Sequence, residues 1–214
     1  MALVRILLAD DHTIVRHGLR RMLEERPEWQ VVAEASDGRD ALRLAELHKP
    51  DVAIIDVAMP LLNGIETTRQ LVRRVPGLRV LVLSMHADEV YVTQILKAGA
   101  TGYLLKDSAD VDLFRAVAAV AQGQSFFSPA VAKLMVDDYV RPRPEGIDRY
   151  ETLSEREREI FQLIAEAKTN KEIASLLGIS LTTVETHRAK IIQKLDLHSA
   201  AQIALYAVRR GVIR

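Results

Sequence analysis

The first 122 residues alternate between two periodicities, and this alternation restricts the possible folds more than any other feature of the chain. Short apolar, β-rich runs recur at residues 3–9 (LVRILLA), 30–36 (QVVAEAS), 51–56 (DVAIID), 78–84 (LRVLVLS) and 101–105 (TGYLL). Between and after them lie segments whose apolar residues return every three to four positions: 13–25, 38–48, 64–75, 88–99 and 109–123. Five strands, each followed by a helix, predict an α/β domain with a doubly wound parallel sheet, (βα)5, covered by helices on both faces. Turn chemistry marks the joints, as at Lys49-Pro50 and Pro76-Gly77.

After Gly123 the alternation stops. Residues 128–140 (SPAVAKLMVDDYV) predict one further helix, with Ser128 as cap and Pro129 in the first helical position. Residues 140–151 (VRPRPEGIDRYE) hold three backbone breakers and mixed charge, and are expected to act as a linker. From Leu153 onward the pattern is helical only. Ser154 and Glu157 have capping-box spacing, Gly178 is placed to end a helix, and two more helices follow. The expected organisation is therefore 1–122 as the α/β domain, 123–149 as a linker with one helix, and 150–214 as a small all-α domain.

The formal net charge is zero over 214 residues, but it is unevenly divided. Residues 1–125 carry 15 Lys and Arg against 17 Asp and Glu, whereas residues 168–214 carry 8 against 3. An acidic front and a basic tail fit two tasks, the second of which can involve a polyanion. Cysteine is absent, which excludes disulfides and thiolate metal sites and fits a reducing compartment. The opening MALVRILLADDH is too short an apolar run for a signal peptide, and no stretch approaches the roughly 20 apolar residues of a membrane span. A cytoplasmic protein without membrane contact is expected.

In a parallel α/β sheet, ligands bind at the carboxyl ends of the strands. Here the first strand ends in Asp10-Asp11, the third in Asp56 and the fourth in Ser84, and the fifth is followed by Lys106. Clustered carboxylates need neutralising, and oxygen ligands favour Mg²⁺. A lysine can pair with carboxylate or phosphate oxygens, and a serine hydroxyl can donate to a phosphoryl oxygen. Any one of these residues alone is commonly a turn, a cap or a solvated side chain; the set is what points to chemistry.

Asp10-Asp11, Asp56-x-x-Met59-Pro60 with Asn63-Gly64, Ser84 and Lys106 together resemble the receiver domain of bacterial response regulators. The resemblance implies Asp56 as phosphoacceptor, Mg²⁺ held by Asp10, Asp11, Asp56 and the carbonyl of Ala58, and a phosphoryl group bound by Ser84 and Lys106. It also implies that Tyr103 and Ser84 move together as a switch; a plain half-buried strand aromatic is the rival account of Tyr103. Ser84 stands where Thr is commoner, and Asp107 where many receivers have Pro, so nothing calls for a cis peptide after Lys106. Ala58 and His86 occupy positions that influence phosphoryl lifetime in the family.

The basic tail resembles the helix-turn-helix of NarL/FixJ-type (LuxR-like) regulators. Matching elements are Leu153-Ser154-x-Arg156-Glu157, Asn170-Lys171-Glu172-Ile173-Ala174, Leu181-x-Thr183-Val184-x-x-His187 and Lys194-Leu195. Val184, Ile191, Ile192 and Leu195 give the second helix an apolar side, opposite Thr182, Glu185, Thr186, Ala189 and Gln193. The expected DNA-contacting set is Lys171, Thr182, Thr183, Glu185, Thr186, His187, Arg188, Lys190 and Lys194, with the cations on phosphates and the short polar residues toward a major groove. Glu185 replaces a commoner Lys and could accept from cytosine N4. The last helix (Ile203, Leu205, Tyr206, Val208) is expected to pack partly on Ile160 and Leu163 and otherwise to form a dimer contact.

Together these features imply a two-component response regulator. A sensor histidine kinase or a small phosphodonor modifies Asp56, and the modification controls homodimerisation and binding to double-stranded promoter DNA. No enzyme is expected. One rival is a metal-dependent phosphatase with an Asp nucleophile, which commonly needs a second Asp two residues later as general acid; that position is Ala58. The other is a DNA-binding regulator that works without phosphorylation.

Overall fold

The computed structural model describes residues 3–85, 89–140, 149–197 and 199–213. Expectations for His86 and for 141–148 of the predicted linker fall outside these residues. The chain forms two compact units, Met1–Pro142 and Arg143–Arg214.

The first unit runs β1 (Val4–Ala9), α1 (Thr13–Glu24), β2 (Trp29–Ala35), α2 (Gly38–His48), β3 (Val52–Asp56), α3 (Gly64–Arg74), β4 (Arg79–Ser84), α4 (Glu89–Lys97), β5 (Gly102–Leu105), a 3-10 turn (Lys106–Ser108), α5 (Ala109–Ala121), β6 (Phe126–Phe127) and α6 (Pro129–Val140). All strand pairs are parallel, in the order β2-β1-β3-β4-β5-β6. The order reverses at β1, so the crevice between the ends of β1 and β3 is a topological switch point.

The apolar strand runs are continuous because the sheet is covered on both sides, and their side chains divide with period two. Leu7, Ala9, Ala53, Ile55, Val80, Val82 and Tyr103 enter one core with α2, α3, α4 and α6. Ile6, Leu8, Val52, Ile54, Leu81, Leu83 and Leu104 enter the other with α1 and α5.

The sheet has one strand more than the sequence predicts. Residues expected to start a linker form β6, whose Phe126 and Phe127 pair with Gly102 and Tyr103 of β5. The α6 helix follows directly, and its Val131 is fully buried in the same core as Tyr103. Ser128 ties the two strands together: its N–H donates to the Tyr103 carbonyl (3.0 Å), and its hydroxyl accepts from the Leu105 N–H (3.0 Å). Its carbonyl also takes the first helical bond, from Ala132 N (2.9 Å), as expected of a residue preceding the helix.

The second unit is helical throughout: a 3-10 turn (Arg149–Thr152), α7 (Glu155–Ala165), α8 (Asn170–Leu177), α9 (Leu181–Leu195) and α10 (Ala200–Arg209). The Ser154–Glu157 capping box opens α7, and Gly178 closes α8 in the left-handed region (φ 63°). A second capping box, Thr169 with Glu172, opens α8. Ile160, Phe161, Leu163, Ile173, Val184, Ile191, Leu195, Ile203 and Ala207 are buried. Tyr150 and Tyr206 both meet the Phe161 ring edge-on, with centroids 5.8 and 5.9 Å away.

Candidate functional site: an acidic pocket and a helix-turn-helix

Strand register brings the acidic residues together. Asp56, the last residue of β3, pairs with Leu83, and the next residue, Ser84, ends β4 opposite Leu105 of β5. Lys106 begins the 3-10 turn immediately afterwards, and Asp10 and Asp11 follow β1 on the other side of β3. Asp10, Asp56 and Ser84 are almost wholly buried (1%, 3% and 1% exposed).

Two buried carboxylates at one point repel, and the fold offsets this with a cation. Lys106 Nζ lies 2.7 Å from Asp10 Oδ2 and 3.1 Å from Asp56 Oδ1. Asp10 is fixed further by the His12 N–H, which donates to its Oδ1 (2.8 Å), and by Arg16 Nη1, which donates to its carbonyl (2.6 Å). One ligand atom from each of Asp10, Asp11, His12 and Asp56 lies within 4.8 Å of the others, a spread that suits one small cation. The donors are mainly carboxylate oxygens, so the residues present fit Mg²⁺.

The loop after Asp56 makes its left-handed turn ahead of Asn63-Gly64. The left-handed turn falls at Leu61 (φ 65°), where the Leu62 N–H donates to the Pro60 carbonyl (2.7 Å) and closes a three-residue γ-turn. Gly64 has no positive φ; its role is close approach, because a Cβ there would lie 2.1 Å from the Asp56 carbonyl oxygen. The Gly64 N–H donates to the Val57 carbonyl (2.8 Å), and the Asn63 side chain caps α3 by accepting from the Glu66 N–H (2.9 Å). The loop that begins with the phosphoacceptor candidate is thus packed against its own first residue. Ala58 lies within this loop. Tyr103 is fully buried, not half-buried, against the core that contains Val131.

In the second unit, α8 and α9 pack as a helix-turn-helix. Val184, Ile191 and Leu195 face inward, while Lys171, Thr182, Thr183, Glu185, Thr186, Ala189, Lys190 and Gln193 are exposed; His187 and Arg188 are half-buried. Four members of the expected DNA-contacting set also make internal bonds, three of them within the helix-turn-helix. Thr183 joins the Ser180 cap, with hydroxyl oxygens 2.7 Å apart. The Thr186 hydroxyl donates back to the Thr182 carbonyl (2.9 Å). Arg188 Nη1 donates to Asn170 Oδ1 (3.3 Å), linking the two helices.

Lys194 differs most from its expected place on phosphate. Its ammonium is 2.6 Å from Glu157 Oε2 and also donates to the Thr152 carbonyl (3.1 Å), so it joins the end of α9 to the start of α7. Burial pushes the Glu157 carboxyl up, but the Lys194 ammonium and the Ser154 N–H outweigh it, and its pKa is lowered overall. On α10, Ile203 and Ala207 are buried, whereas Leu205 and Val208, one turn apart, are exposed.

A parallel receiver-type sheet with an acidic pocket, joined to a helix-turn-helix unit, defines the class: a transcription regulator with separate input and DNA-binding modules. The family model for the response regulator receiver domain matches residues 6–118, and that for bacterial regulatory proteins of the luxR family matches 151–207. The chain belongs to the response regulators of the NarL/FixJ type, which are DNA-binding transcriptional regulators and not enzymes. It is 38% identical to the transcriptional regulatory protein DegU of Brevibacillus brevis over 99% of this chain and 95% of that one. It is 39% identical to the transcriptional regulatory protein LiaR of Bacillus subtilis (strain 168), over 99% and 100%. Among solved structures, the response regulator in an RcsB–DNA complex matches with a TM-score of 0.60 at 28% identity, covering 96% of this chain and 98% of that one. Among the described residues, no helix is long and apolar enough to cross a membrane.

Proposed function

We propose that Asp56 accepts a phosphoryl group from a sensor histidine kinase or a small acyl phosphate, and that this modification controls homodimerisation and promoter binding. The observation that carries the proposal is the Lys106 ammonium spanning Asp10 and Asp56, with both carboxylates buried at the end of a parallel sheet. Asp10, Asp11, Asp56 and the Ala58 carbonyl are the proposed ligands of Mg²⁺. Bound there, the ion supplies positive charge against the carboxylates and the incoming phosphoryl oxygens.

The chain's own residues account for the rest. An Asp56 carboxylate oxygen forms the new bond to phosphorus. The P–N bond of the donor phosphohistidine breaks, or the P–O bond of an acyl phosphate, and its electron pair leaves with the imidazole or the carboxylate. Lys106 then exchanges its contact with Asp56 for a phosphoryl oxygen, and the Ser84 hydroxyl donates to another. Movement of Ser84 is transmitted to the buried Tyr103 as a shift between two packed states.

The receiver role is assigned to 1–122 and the DNA-binding role to 150–214; within 123–149, β6 and α6 fold with the receiver. On the DNA side, Thr182, Thr183, Glu185 and Thr186 are proposed at the major groove and Lys171, His187, Arg188 and Lys190 on phosphates. Lys194 can serve a phosphate only by giving up its contact with Glu157. The exposed Leu205 and Val208 are the proposed α10 contact between two DNA-bound copies, since paired recognition helices suit inverted half-sites about one helical turn apart. RcsB, by the description of its solved complex, binds DNA, and this favours the same partner here. The proposed location is the cytoplasm.

Incubation with radiolabelled acetyl phosphate and Mg²⁺ tests the central point. The wild-type chain should take up one acid-stable, base-labile phosphoryl group, and Asp56→Asn none. Equal labelling of the two would refute Asp56 as acceptor, and turnover of an added phosphate ester would favour a phosphatase.

A further inference from the structure

We infer that His12 supplies an imidazole nitrogen to the metal site of the acidic pocket, giving it affinity for first-row divalent ions over Mg²⁺. This rests on the pocket binding a divalent ion as proposed above, and adds a ligand not among the carboxylates and carbonyl assigned there.

Three observations carry it. First, His12 Nδ1 lies 2.8 Å from Asp11 Oδ1 and 3.4 Å from Asp10 Oδ1, and it belongs to the same group of atoms, within 4.8 Å of one another, as Asp56. An octahedral ion with bonds of about 2.1 Å places neighbouring ligand atoms about 3.0 Å apart and opposite ones about 4.2 Å apart. The nitrogen is therefore at the spacing of a ligand next to the carboxylate oxygens. Second, His12 holds the N-cap position of α1, yet its side chain makes no capping hydrogen bond to the helix. It lies against the acidic groups instead, while its backbone N–H bonds Asp10. Third, the ring is half exposed, so it can meet an ion entering from solvent without unpacking the core.

The chemical consequence is selectivity. Mg²⁺ prefers oxygen ligands and retains its waters, whereas imidazole favours first-row divalent ions. An imidazole nitrogen coordinates a metal ion through its in-plane lone pair. A histidine that only donated a hydrogen bond to Asp11 would leave the choice of ion unchanged.

The test uses the full chain and Mn²⁺ as a paramagnetic probe. Electron spin-echo modulation of the wild-type protein loaded with Mn²⁺ should show coupling to a directly bound ¹⁴N. His12→Ala and His12→Gln should both lose it, the latter although its amide can still donate to Asp11. In calorimetric competition, the preference for Mn²⁺ over Mg²⁺ should fall by about tenfold in both variants, the lower end of the loss usual when a group supporting a metal site is removed. Because the His12 side chain caps nothing, both variants should fold, as circular dichroism will check. If Mn²⁺ binds the wild type without ¹⁴N coupling, or if His12→Gln keeps the wild-type preference, the inference is overturned while the acidic pocket stands. If Mn²⁺ binds wild type and Asp56→Asn equally weakly and without saturation, the pocket itself is refuted and the inference falls with it.

Discussion

Glu157 serves two purposes with one carboxylate. Its Oε2 accepts from the Ser154 N–H (2.8 Å) to complete the capping box, and from Lys194 Nζ (2.6 Å) at the far end of α9. The capping box was legible in the sequence because it is local, three residues apart. The ion pair was not, because it links positions 37 apart whose meeting is set by packing, and Lys194 was expected on DNA instead. Lys194→Met should lower the stability of the second unit by about 1 kcal/mol, a figure reduced for an ammonium still 37% exposed. Chemical denaturation of the full chain, followed by a signal from the helical unit, measures this. The Glu157 pKa is lowered in the folded state, so its contribution is present above the unfolded carboxyl value and is lost as pH falls through the lower, folded value. Wild-type stability should therefore decline with acidification below about pH 4.5, the ordinary carboxyl range, and Lys194→Met should decline less. Gly64 shows the same limit of sequence reading. A glycine at the start of a helix suggests a turn, but the left-handed turn is made by Leu61, and what excludes a side chain at 64 is the Asp56 carbonyl. Gly64→Ala should cost about 1–3 kcal/mol, as overpacking does, because the obstructing atom is backbone and cannot rotate away. It should also depress acetyl phosphate labelling by displacing Asp56, whereas Gly18→Ala, in open space and without a positive φ, should leave labelling intact.

At the scale of elements, the strands and helices of the first unit were legible because each carries its own period over five or more residues. Where a segment is shorter, the pattern is silent. Phe126-Phe127 is two residues long, too short to show an alternation, and it becomes a strand only because β5 offers an open edge. The capping box at Thr169 and Glu172 is local, and its T-x-x-E spacing is plain in the sequence. The Ser128 clamp had half a signal: Ser-Pro marked the helix start, but nothing local showed that the hydroxyl would be used by Leu105 of another element. It matters for the candidate site because Leu105 immediately precedes Lys106 and Tyr103 is two residues back. Ser128→Ala leaves the part-buried Leu105 N–H without that acceptor and should cost about 1 kcal/mol. The loss should be local to the β5–β6 edge. Hydrogen exchange should therefore quicken at Leu105 and along α6 more than in β1 or β3, and uniform quickening would show that the clamp has no special place in this edge.

At the scale of the whole molecule, the two units carry opposite charge, and their proposed partners differ accordingly. Residues 168–214 hold 8 Lys and Arg against 3 Asp and Glu, so promoter affinity should fall with salt as bound cations release counterions from phosphates. The helix-turn-helix geometry sorts which side chains set that slope. Lys171 and Lys190 are exposed on it, and each should contribute about one unit to the slope of log K against log salt when replaced by Ala, weakening all sequences alike. Lys194 should contribute less than either, since its ammonium already neutralises Glu157. Glu185, exposed on the same helix and acidic, should behave in the opposite sense. Glu185→Ala removes repulsion from the backbone and should tighten nonspecific binding, while discrimination at the base it faces relaxes by about 1–3 kcal/mol. Anisotropy titrations of the wild type and the four variants on a selected site and on a scrambled duplex, across a salt series, separate these effects. Should Lys190→Ala leave the slope unchanged while Lys194→Ala lowers it, the ammonium of Lys194 must leave Glu157 on binding, and the α7–α9 ion pair would be a contact that DNA breaks.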